Sequence, residues 1–324
     1  MNYGGIIREA LVISWRNKFL WFFGFFLSAA VNSIVRPSSF GDLTPGATNV
    51  TAGQPPAWIA NLGRAIQSNP LPLILGISLA VLALVLVWIF FSVLSQGALN
   101  ESVAAVDRGE ERRFGLAWRA GLARFWRVLG LVVVVGLVAL VATLLLYAVA
   151  GLLGAGVFFV TESIALRVLV VALVALIFLP LALALAVFFS LLGRYALREA
   201  VVGDERILSS IEGGLRLLRR NVGRSLALLL IQLGLVLAFG LLMFFATLVA
   251  GLLLSALVTA LTSAELGALA VAVGIIGSII LSVPFVLVTC FAGAFHQAYW
   301  TLAYLRLTAP AESLPSSDPS PHPV

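Results

Sequence analysis

The most constraining feature of this chain is a stretch of 81 residues between Arg224 and Arg306 that contains a single charged residue, Glu265. A helix that crosses a membrane needs only about 20 apolar residues. The stretch is therefore long enough for two membrane-spanning helices, and we predict that they turn around residues 259–267. Water would not solvate so much apolar surface, which makes lipid the solvent for this part of the chain.

The rest of the chain has the same character. Of its 324 residues, 61% are hydrophobic and only 10% are charged, against about 25% charged in a soluble domain. Apolar runs predict four further spans, at about 19–35, 71–98, 128–160 and 168–192. We therefore predict an all-α integral membrane protein with six transmembrane helices arranged as three hairpins. The proline-rich segment 308–324 is predicted to be a disordered tail.

A short amphipathic segment precedes each hairpin, and we expect each to form a helix in the membrane interface. A shift of 111 residues and then one of 93 bring the apolar face of residues 3–17 onto two later segments. Residues 90–103 (FFSVLSQGALNESV) and 188–201 (FFSLLGRYALREAV) also share eight of fourteen positions. These matches predict a threefold repeat within one membrane domain (1–307), with copies at 1–106, 107–203 and 204–307. Chance similarity of apolar sequence is the competing interpretation.

Seventeen of the twenty basic residues fall on one side of this topology. The other three are Arg36, Arg64 and Arg167. Because cytoplasmic loops carry the excess of Lys and Arg, both termini are predicted to lie in the cytoplasm. Nineteen of the basic residues are Arg, which is typical of a GC-rich bacterial genome. We predict the cytoplasmic (inner) membrane of a bacterium as the location. The net charge of +6 is assigned to topology and anionic headgroups, and binding of nucleic acid is not predicted.

The repeat places three arginines at equivalent positions, where each amphipathic segment turns into a span. These candidate ligands of anionic lipid headgroups are Arg16, Arg127 and Arg220. Two carboxylates, Glu101 and Glu199, also match between repeats at the ends of the even-numbered spans. Pairing with one of these arginines and simple solvation are both open interpretations for the two carboxylates.

A few polar or helix-breaking residues in the spans are candidates for lining a cavity or acting as hinges. They are Asn32, Tyr147, Pro180, Gln232, Pro284 and His296. Prolines kink helices and can mark transport sites, but they are also common in membrane helices. His296, near Trp300, fits either a proton-sensing or headgroup-binding cluster, or an aromatic belt at the interface.

No motif for catalysis, nucleotide binding or metal binding is found in the sequence. The single cysteine, Cys290, excludes an intrachain disulfide and a paired CxxC motif. There is no P-loop, no GxSxG and no HExxH. We therefore expect no cofactor and no enzymatic activity.

Three segments carry a resemblance to known proteins: IIREALVISWRNKFLWFFGFF (6–26), FGLAWRAGLARFWRVLG (114–130) and SIEGGLRLLRRNVGRSL (210–226). They resemble bacterial multi-pass proteins that are similar to the membrane domain of glycerophosphoryl diester phosphodiesterases. The resemblance implies a helical membrane domain. It implies no phosphodiesterase activity, because the catalytic barrel with its metal-binding residues has no counterpart in this chain.

Two functional hypotheses remain open from the sequence. The first is a non-catalytic membrane scaffold or lipid-interacting accessory protein whose partners are anionic membrane lipids. The alternative is a transporter or flippase with a cavity between the three hairpins, and an intramembrane enzyme ranks third. Protein partners and oligomeric state stay open. A polar or lipid-filled cavity would favour transport, and a dry bundle would favour the scaffold.

Overall fold

The computed structural model describes residues 2–32 and 70–309, and every element in these two ranges is a helix. The helices are α1 Tyr3–Arg16, α2 Phe19–Asn32, α3 Pro70–Asp107, α4 Phe114–Ala123, α5 Phe125–Val160, α6 Ile164–Val202, α7 Ile207–Arg220, α8 Val222–Ser263 and α9 Gly267–Thr308. The prediction of an all-α chain is confirmed for this part of the protein. The end of the first predicted span and the predicted tail from residue 310 onward lie outside the described residues.

Five of the described helices, α3, α5, α6, α8 and α9, are long enough and apolar enough to cross a membrane. Each has 36 to 42 residues, or roughly 54–63 Å at about 1.5 Å per residue. A hydrocarbon core is only about 30 Å thick, so the helices extend well past it. The break between α8 and α9 falls at residues 264–266, within the predicted turn.

The three short helices α1, α4 and α7 are separate elements, each followed almost at once by a long or apolar helix. A single residue, Arg124, separates α4 from α5, and Asn221 alone separates α7 from α8. On α1 and α7 every fourth residue is buried. These residues are Ile6, Ala10 and Ser14 on α1, and Ser210, Gly214 and Leu218 on α7.

The apolar face of α1 is only partly covered by protein. Leu11 is 42% exposed and Trp15 is 63% exposed, although the helical periodicity places both beside the buried residues. The reason is that α1 lies across α9 and contacts it through a narrow strip of mostly small side chains. The rest of its apolar face is not covered by protein and is available for contact with lipid.

Helices α3, α6 and α9 contact one another at the centre of the bundle. Each of them also carries one short helix: α4 lies on α3, α7 lies on α6, and α1 lies on α9. The short helices therefore connect successive parts of the chain, and α1 joins the beginning of the chain to its last helix. Helix α5 contacts α6, and α8 contacts α9.

Glycines allow two helix pairs to approach through their backbones. A Cβ on Gly24 of α2 would overlap the carbonyl oxygen of Cys290 and lie 2.7 Å from the Ala294 nitrogen of α9. A Cβ on Gly121 of α4 would lie 2.7 Å from the Leu94 carbonyl oxygen of α3. Small residues at such crossings let membrane helices come close.

Burial divides the bundle into two ends. We call residues 3–28, 91–131, 190–229 and 290–308 the converging end, because every buried residue except Ala270 lies there. Residues 75–90, 132–159, 164–189 and 230–289 form the open end. Its side chains are exposed or half-buried on nearly all sides of each helix. Exposed apolar surface of this extent requires lipid.

Candidate functional site

Two arginines of α6 lie in the interior of the converging end. Arg198 is 1% exposed, and Arg194 is half-buried. They are four residues apart and therefore share one face of α6, which also contacts α3 and α9. Arginine is almost never fully buried unless it is paired. The surroundings of these two side chains therefore define the candidate site.

Gln232 of α8 connects Arg194 to α9. Arg194 Nη1 and Trp300 Nε1 both donate hydrogen bonds to Gln232 Oε1. The Arg194 guanidinium also lies 4.5 Å from the centre of the Trp300 ring, which is within cation–π distance. Both groups can only donate, so the amide oxygen of Gln232 faces them and its nitrogen faces the other way.

The orientation of Gln232 determines the tautomer of His296. Gln232 Nε2 lies 2.9 Å from His296 Nδ1. The amide nitrogen can only donate, so Nδ1 accepts, and a neutral His296 carries its proton on Nε2. The second ring nitrogen of His296 is therefore a hydrogen-bond donor.

Arg198 has hydrogen-bond acceptors but no counter-charge among the described residues. Its Nη1 donates to the Arg194 carbonyl oxygen at 2.7 Å, and its Nη2 donates to Gln297 Oε1 at 2.9 Å. Its buried Nε finds no acceptor in the described part of the chain. Burying an ion without an opposite charge costs several kcal/mol. A bound anion would supply the missing negative charge and offset this cost.

A cavity of about 400 Å³ adjoins the two arginines, between α3, α5, α6 and α9. Its polar lining consists of Gln96, Ser190, Arg194, Arg198, His296 and Gln297. Its apolar lining includes Leu131, Val132, Val135, Gly136 and Ala139 of α5 and Phe189 of α6. No carboxylate of the described ranges lines it. The volume lies within the usual range for small-molecule sites.

A buried polar contact lies one helical turn beyond the cavity, toward the ends of α3 and α9. Thr301 Oγ1 donates to Asn100 Oδ1 at 2.8 Å, and neither residue is exposed. Asn100 Nδ2 donates to the Gln96 carbonyl oxygen at 2.8 Å. Because Gln96 and Gln297 line the cavity four residues earlier on the same helices, this contact closes the bundle beneath it.

Two of the predicted cavity residues, Gln232 and His296, are brought into direct contact, although they are far apart in sequence. Tyr147 lies on the open end of α5 and is 59% exposed. It does not line the cavity beside Arg194.

The remaining cavity and hinge candidates lie away from the site. Pro180 and Pro284 are exposed, and α6 and α9 continue through them as uninterrupted helices. Neither helix is broken at its proline. Asn32 is the last described residue of α2, and its side chain lies outside the described residues.

The three candidate headgroup arginines have different surroundings. Arg16 and Arg220 are exposed at the ends of α1 and α7. Arg127 donates to the Asp204 carboxylate and, at 3.3 Å, to the Ala200 carbonyl oxygen. The hydrogen bond from Arg127 lowers the pKa of Asp204 below its usual value. Arg127 therefore ties the start of α5 to the end of α6.

The two matched carboxylates bind groups other than these arginines. Arg112 donates to Glu101 at 2.7 Å, and the Tyr304 hydroxyl donates to Glu199 at 2.6 Å. Both contacts lie at the converging end. Neither carboxylate lines the cavity, and among the described residues neither forms an ion pair with Arg194 or Arg198, since Glu101 pairs with Arg112 and Glu199 accepts from Tyr304.

Arg194 and Arg198 are the residues of the candidate site that sequence reasoning missed. They follow directly after an apolar run, and hydropathy does not report whether a charge at that position faces water or protein. The repeat contains the missing signal, since it aligns Gln96 with Arg194 and Asn100 with Arg198. Polar residues four apart occur on the same helical face in both copies.

No family model, curated protein or solved structure matches this chain. Its class follows from the described helices alone. The chain is a multi-pass membrane protein that is all-α over residues 2–32 and 70–309, with a cationic cavity at the converging end of its bundle.

Proposed function

We propose that this protein is a non-catalytic membrane protein that binds an anionic molecule inside its helical bundle. The observation that carries the proposal is Arg198, a fully buried cation with no carboxylate partner among the described residues. Arg194 adds a second positive charge to the same cavity. An anion between them would offset the cost of burying both.

A stability measurement tests this function. In a neutral detergent, we expect anionic phosphatidylglycerol to raise the melting temperature of the wild type, while zwitterionic phosphatidylcholine does not. Ligand at about 100 times its Kd stabilises by about 2.7 kcal/mol. The stabilisation should disappear in Arg194→Gln/Arg198→Gln and persist in Arg216→Gln, whose arginine is exposed on α7. Equal stabilisation of both mutants would refute the proposal.

We propose further that the chain has six spans, with both termini and the converging end on the cytoplasmic side of a bacterial inner membrane. The distribution of basic residues supports this orientation, as do the five long apolar helices. Cysteine labelling at positions 53 and 316 of intact cells tests it. Labelling at 53 alone is expected, and labelling at 316 alone would contradict the topology.

The threefold repeat is supported by equivalent buried positions. The shifts of 111 and 93 residues relate Ile6 to Ala117 and Ser210, and all three are buried. They also relate Ala10, Gly121 and Gly214, which are again buried small residues of the short helices. We propose that each copy consists of a short helix followed by a hairpin.

We also propose that Arg16 and Arg220 bind anionic headgroups at the membrane surface. Their exposure at the ends of short helices supports the proposal, since a cation near an anionic leaflet contributes about 1 kcal/mol. Arg127 is partly occupied by Asp204 and should contribute less. Native mass spectrometry of Arg16→Gln, Arg127→Gln and Arg220→Gln separately would show whether retained phosphatidylglycerol follows this order.

Transport is the second candidate function. The observation that favours it is the position of the cavity between the Asn100–Thr301 contact, which closes the bundle beneath it, and the open end. A transporter would have to break that contact during its cycle. Translocation of fluorescent phosphatidylglycerol in proteoliposomes distinguishes the two functions, because a binding protein would hold the lipid without moving it between leaflets.

A further inference from the structure

The cavity beside Arg194 and Arg198 has a polar side and an apolar side, and this division bears on what kind of anion it binds. Resting on the proposed anion-binding function, we infer that the ligand is a phospholipid. Its phosphate lies against the two arginines, and one of its hydrocarbon chains lies along α5.

The polar side of the cavity matches a phosphate group. Arg194, Arg198 and His296 line this side, and the other polar lining residues are neutral. Both arginines are donors, and His296 has an Nε2–H because its Nδ1 accepts from Gln232. Arg198 keeps a buried Nε–H without an acceptor in the described chain. The phosphodiester of a phospholipid has two charged oxygens and two ester oxygens, and arginine recognises its charged oxygens in a bidentate manner. A carboxylate has two oxygens in all to share among these groups.

The apolar side of the cavity matches a hydrocarbon chain. Leu131, Val135 and Ala139 follow one another at every fourth residue of α5, so they form a strip roughly 12 Å long at about 1.5 Å per residue. Gly136 interrupts the wall of side chains, because a Cβ placed there would meet nothing within 4 Å. Val132, at the rim, is 40% exposed, so the strip is continuous with the surface that lipid covers.

The two sides are arranged in the order of a lipid leaflet. Arg198 lies four residues and Arg194 eight residues before the end of α6 at Val202, near the converging end. The apolar strip runs from there toward the open end, since Ala139 lies farther along α5 than Leu131. A phospholipid in that leaflet places its phosphate near the helix ends and its chains toward the membrane centre. A water-soluble anion has no hydrocarbon chain to pack against the apolar strip.

The experiment uses the full chain purified in a neutral detergent and exchanged against defined probes. The probes are nitroxide-labelled phosphatidylglycerol, labelled phosphatidylcholine, a labelled fatty acid and radioactive inorganic phosphate. The variants are Arg198→Gln, Arg198→Lys, Gly136→Leu and Gly154→Leu. The last is a matched control on α5, because a Cβ on Gly154 also meets nothing within 4 Å and the residue does not line the cavity.

We expect the wild type and Gly154→Leu to retain one phosphatidylglycerol each, in preference to phosphatidylcholine and the fatty acid. Arg198→Gln should lower its affinity at least tenfold, and Arg198→Lys should lower it less. Gly136→Leu should also lower it at least tenfold while leaving binding of inorganic phosphate unchanged. If Arg198→Gln fails to fold, the comparison of Gly136→Leu with Gly154→Leu still decides the inference.

The other outcomes separate this inference from the function on which it rests. If inorganic phosphate binds through Arg198 and Gly136→Leu does not affect binding of phosphatidylglycerol, the inference of a phospholipid ligand is wrong. The proposed function of binding an anion would then still hold. If the fatty acid binds more tightly than phosphatidylglycerol, the phosphate is wrong. If no probe binds the wild type, or Arg198→Gln changes nothing, both the inference and the proposed function fail.

Discussion

The two ends of the bundle are made from the same long helices but differ in almost every interaction. At the converging end, side chains from different helices meet, as in the contact of Asn100 with Thr301. At the open end, polar side chains bond to their own helix, as Thr262 does to the Val258 carbonyl oxygen at 2.8 Å. One end is held together by contacts between helices, and the other is a set of apolar helices exposed to lipid.

This difference indicates that the interactions which determine how the helices pack lie at the converging end. In lipid, apolar surfaces gain little by meeting one another, so helices associate through close backbone contacts and polar groups. The converging end has both, and it also has the cationic cavity. The open end has mostly apolar side chains, which lipid solvates as well as protein does. Substitutions should therefore have large effects at one end and small effects at the other.

The largest expected effect is at the crossing of α2 and α9. Gly24→Ala places a methyl group against the backbone of Cys290 and Ala294, and such overpacking costs about 1–3 kcal/mol or more. Gly154→Ala, on the open end of α5 with nothing within 4 Å, should leave stability nearly unchanged. Thermal unfolding in detergent compares the two. Equal melting temperatures for Gly24→Ala and Gly154→Ala would contradict the claim that only the converging end is closely packed.

A smaller effect is expected from the buried polar contact. Asn100→Ala removes the partner of Thr301 on α3. The Thr301 hydroxyl still has the Gln297 carbonyl oxygen of its own helix at 2.8 Å, so the change should destabilise by about 0.5–1.5 kcal/mol, the net contribution of one hydrogen bond. Thr262→Val removes a hydroxyl that bonds only within its own helix, and its cost should be near zero. Denaturant titration followed by circular dichroism would measure both. A larger loss for Thr262→Val would contradict the account.

Below these comes the ion-pair cluster on the surface of the converging end. Arg306 donates to Glu9 at 3.1 Å and to Asp107 at 2.9 Å, which connects α9 to α1 and α3. These groups are partly exposed, and such pairs contribute about 0–1 kcal/mol. Arg306→Gln should therefore lower the melting temperature by a small amount that shrinks in high salt. A salt-independent loss would mean that the side chain acts through packing instead.

The smallest effect concerns Asp204, which is fully exposed. Arg127 lowers the pKa of Asp204 in the folded chain below the ordinary value of 3.8. The contact therefore stabilises the fold fully above that value, and its contribution is lost as the pH falls through the lower folded pKa. Hydrogen exchange of residues 199–202, the last turn of α6, would measure this as protection factors, which correct for the intrinsic pH dependence of amide exchange. These protection factors should fall at acid pH in the wild type, and in Asp204→Asn they should already be lower at neutral pH.

Much of the fold could be predicted from the sequence, because helix positions follow from hydropathy and amphipathic periodicity. The turn at 264–266 and the separate short helices are examples. The site could be predicted only in part. Gln232 and His296 were candidates as polar residues in apolar helices, but their mutual contact depends on how α8 and α9 pack. The periodicity of the sequence within each helix does not predict that contact.

Hydropathy could not predict whether a charged side chain faces water or the interior of the protein. Arg194 and Arg198 have the same local pattern as the arginines expected to face the cytoplasm, yet one is buried and the other half-buried. Trp15, by contrast, lies on the predicted apolar face of α1 and is mostly exposed, which suits an interfacial helix whose apolar face contacts lipid. The burial of the two arginines could not be predicted because the helices that cover them come from distant parts of the chain.

An experimental structure of the wild type in nanodiscs containing phosphatidylglycerol tests the central claim most directly. We predict elongated density with its head between Arg194 and Arg198 and its tail along α5 past Gly136. The helices of the open end should contact mainly lipid. A dry, collapsed cavity would contradict the claim that the converging end holds an anionic ligand, and so would a carboxylate of the protein itself bound to Arg198.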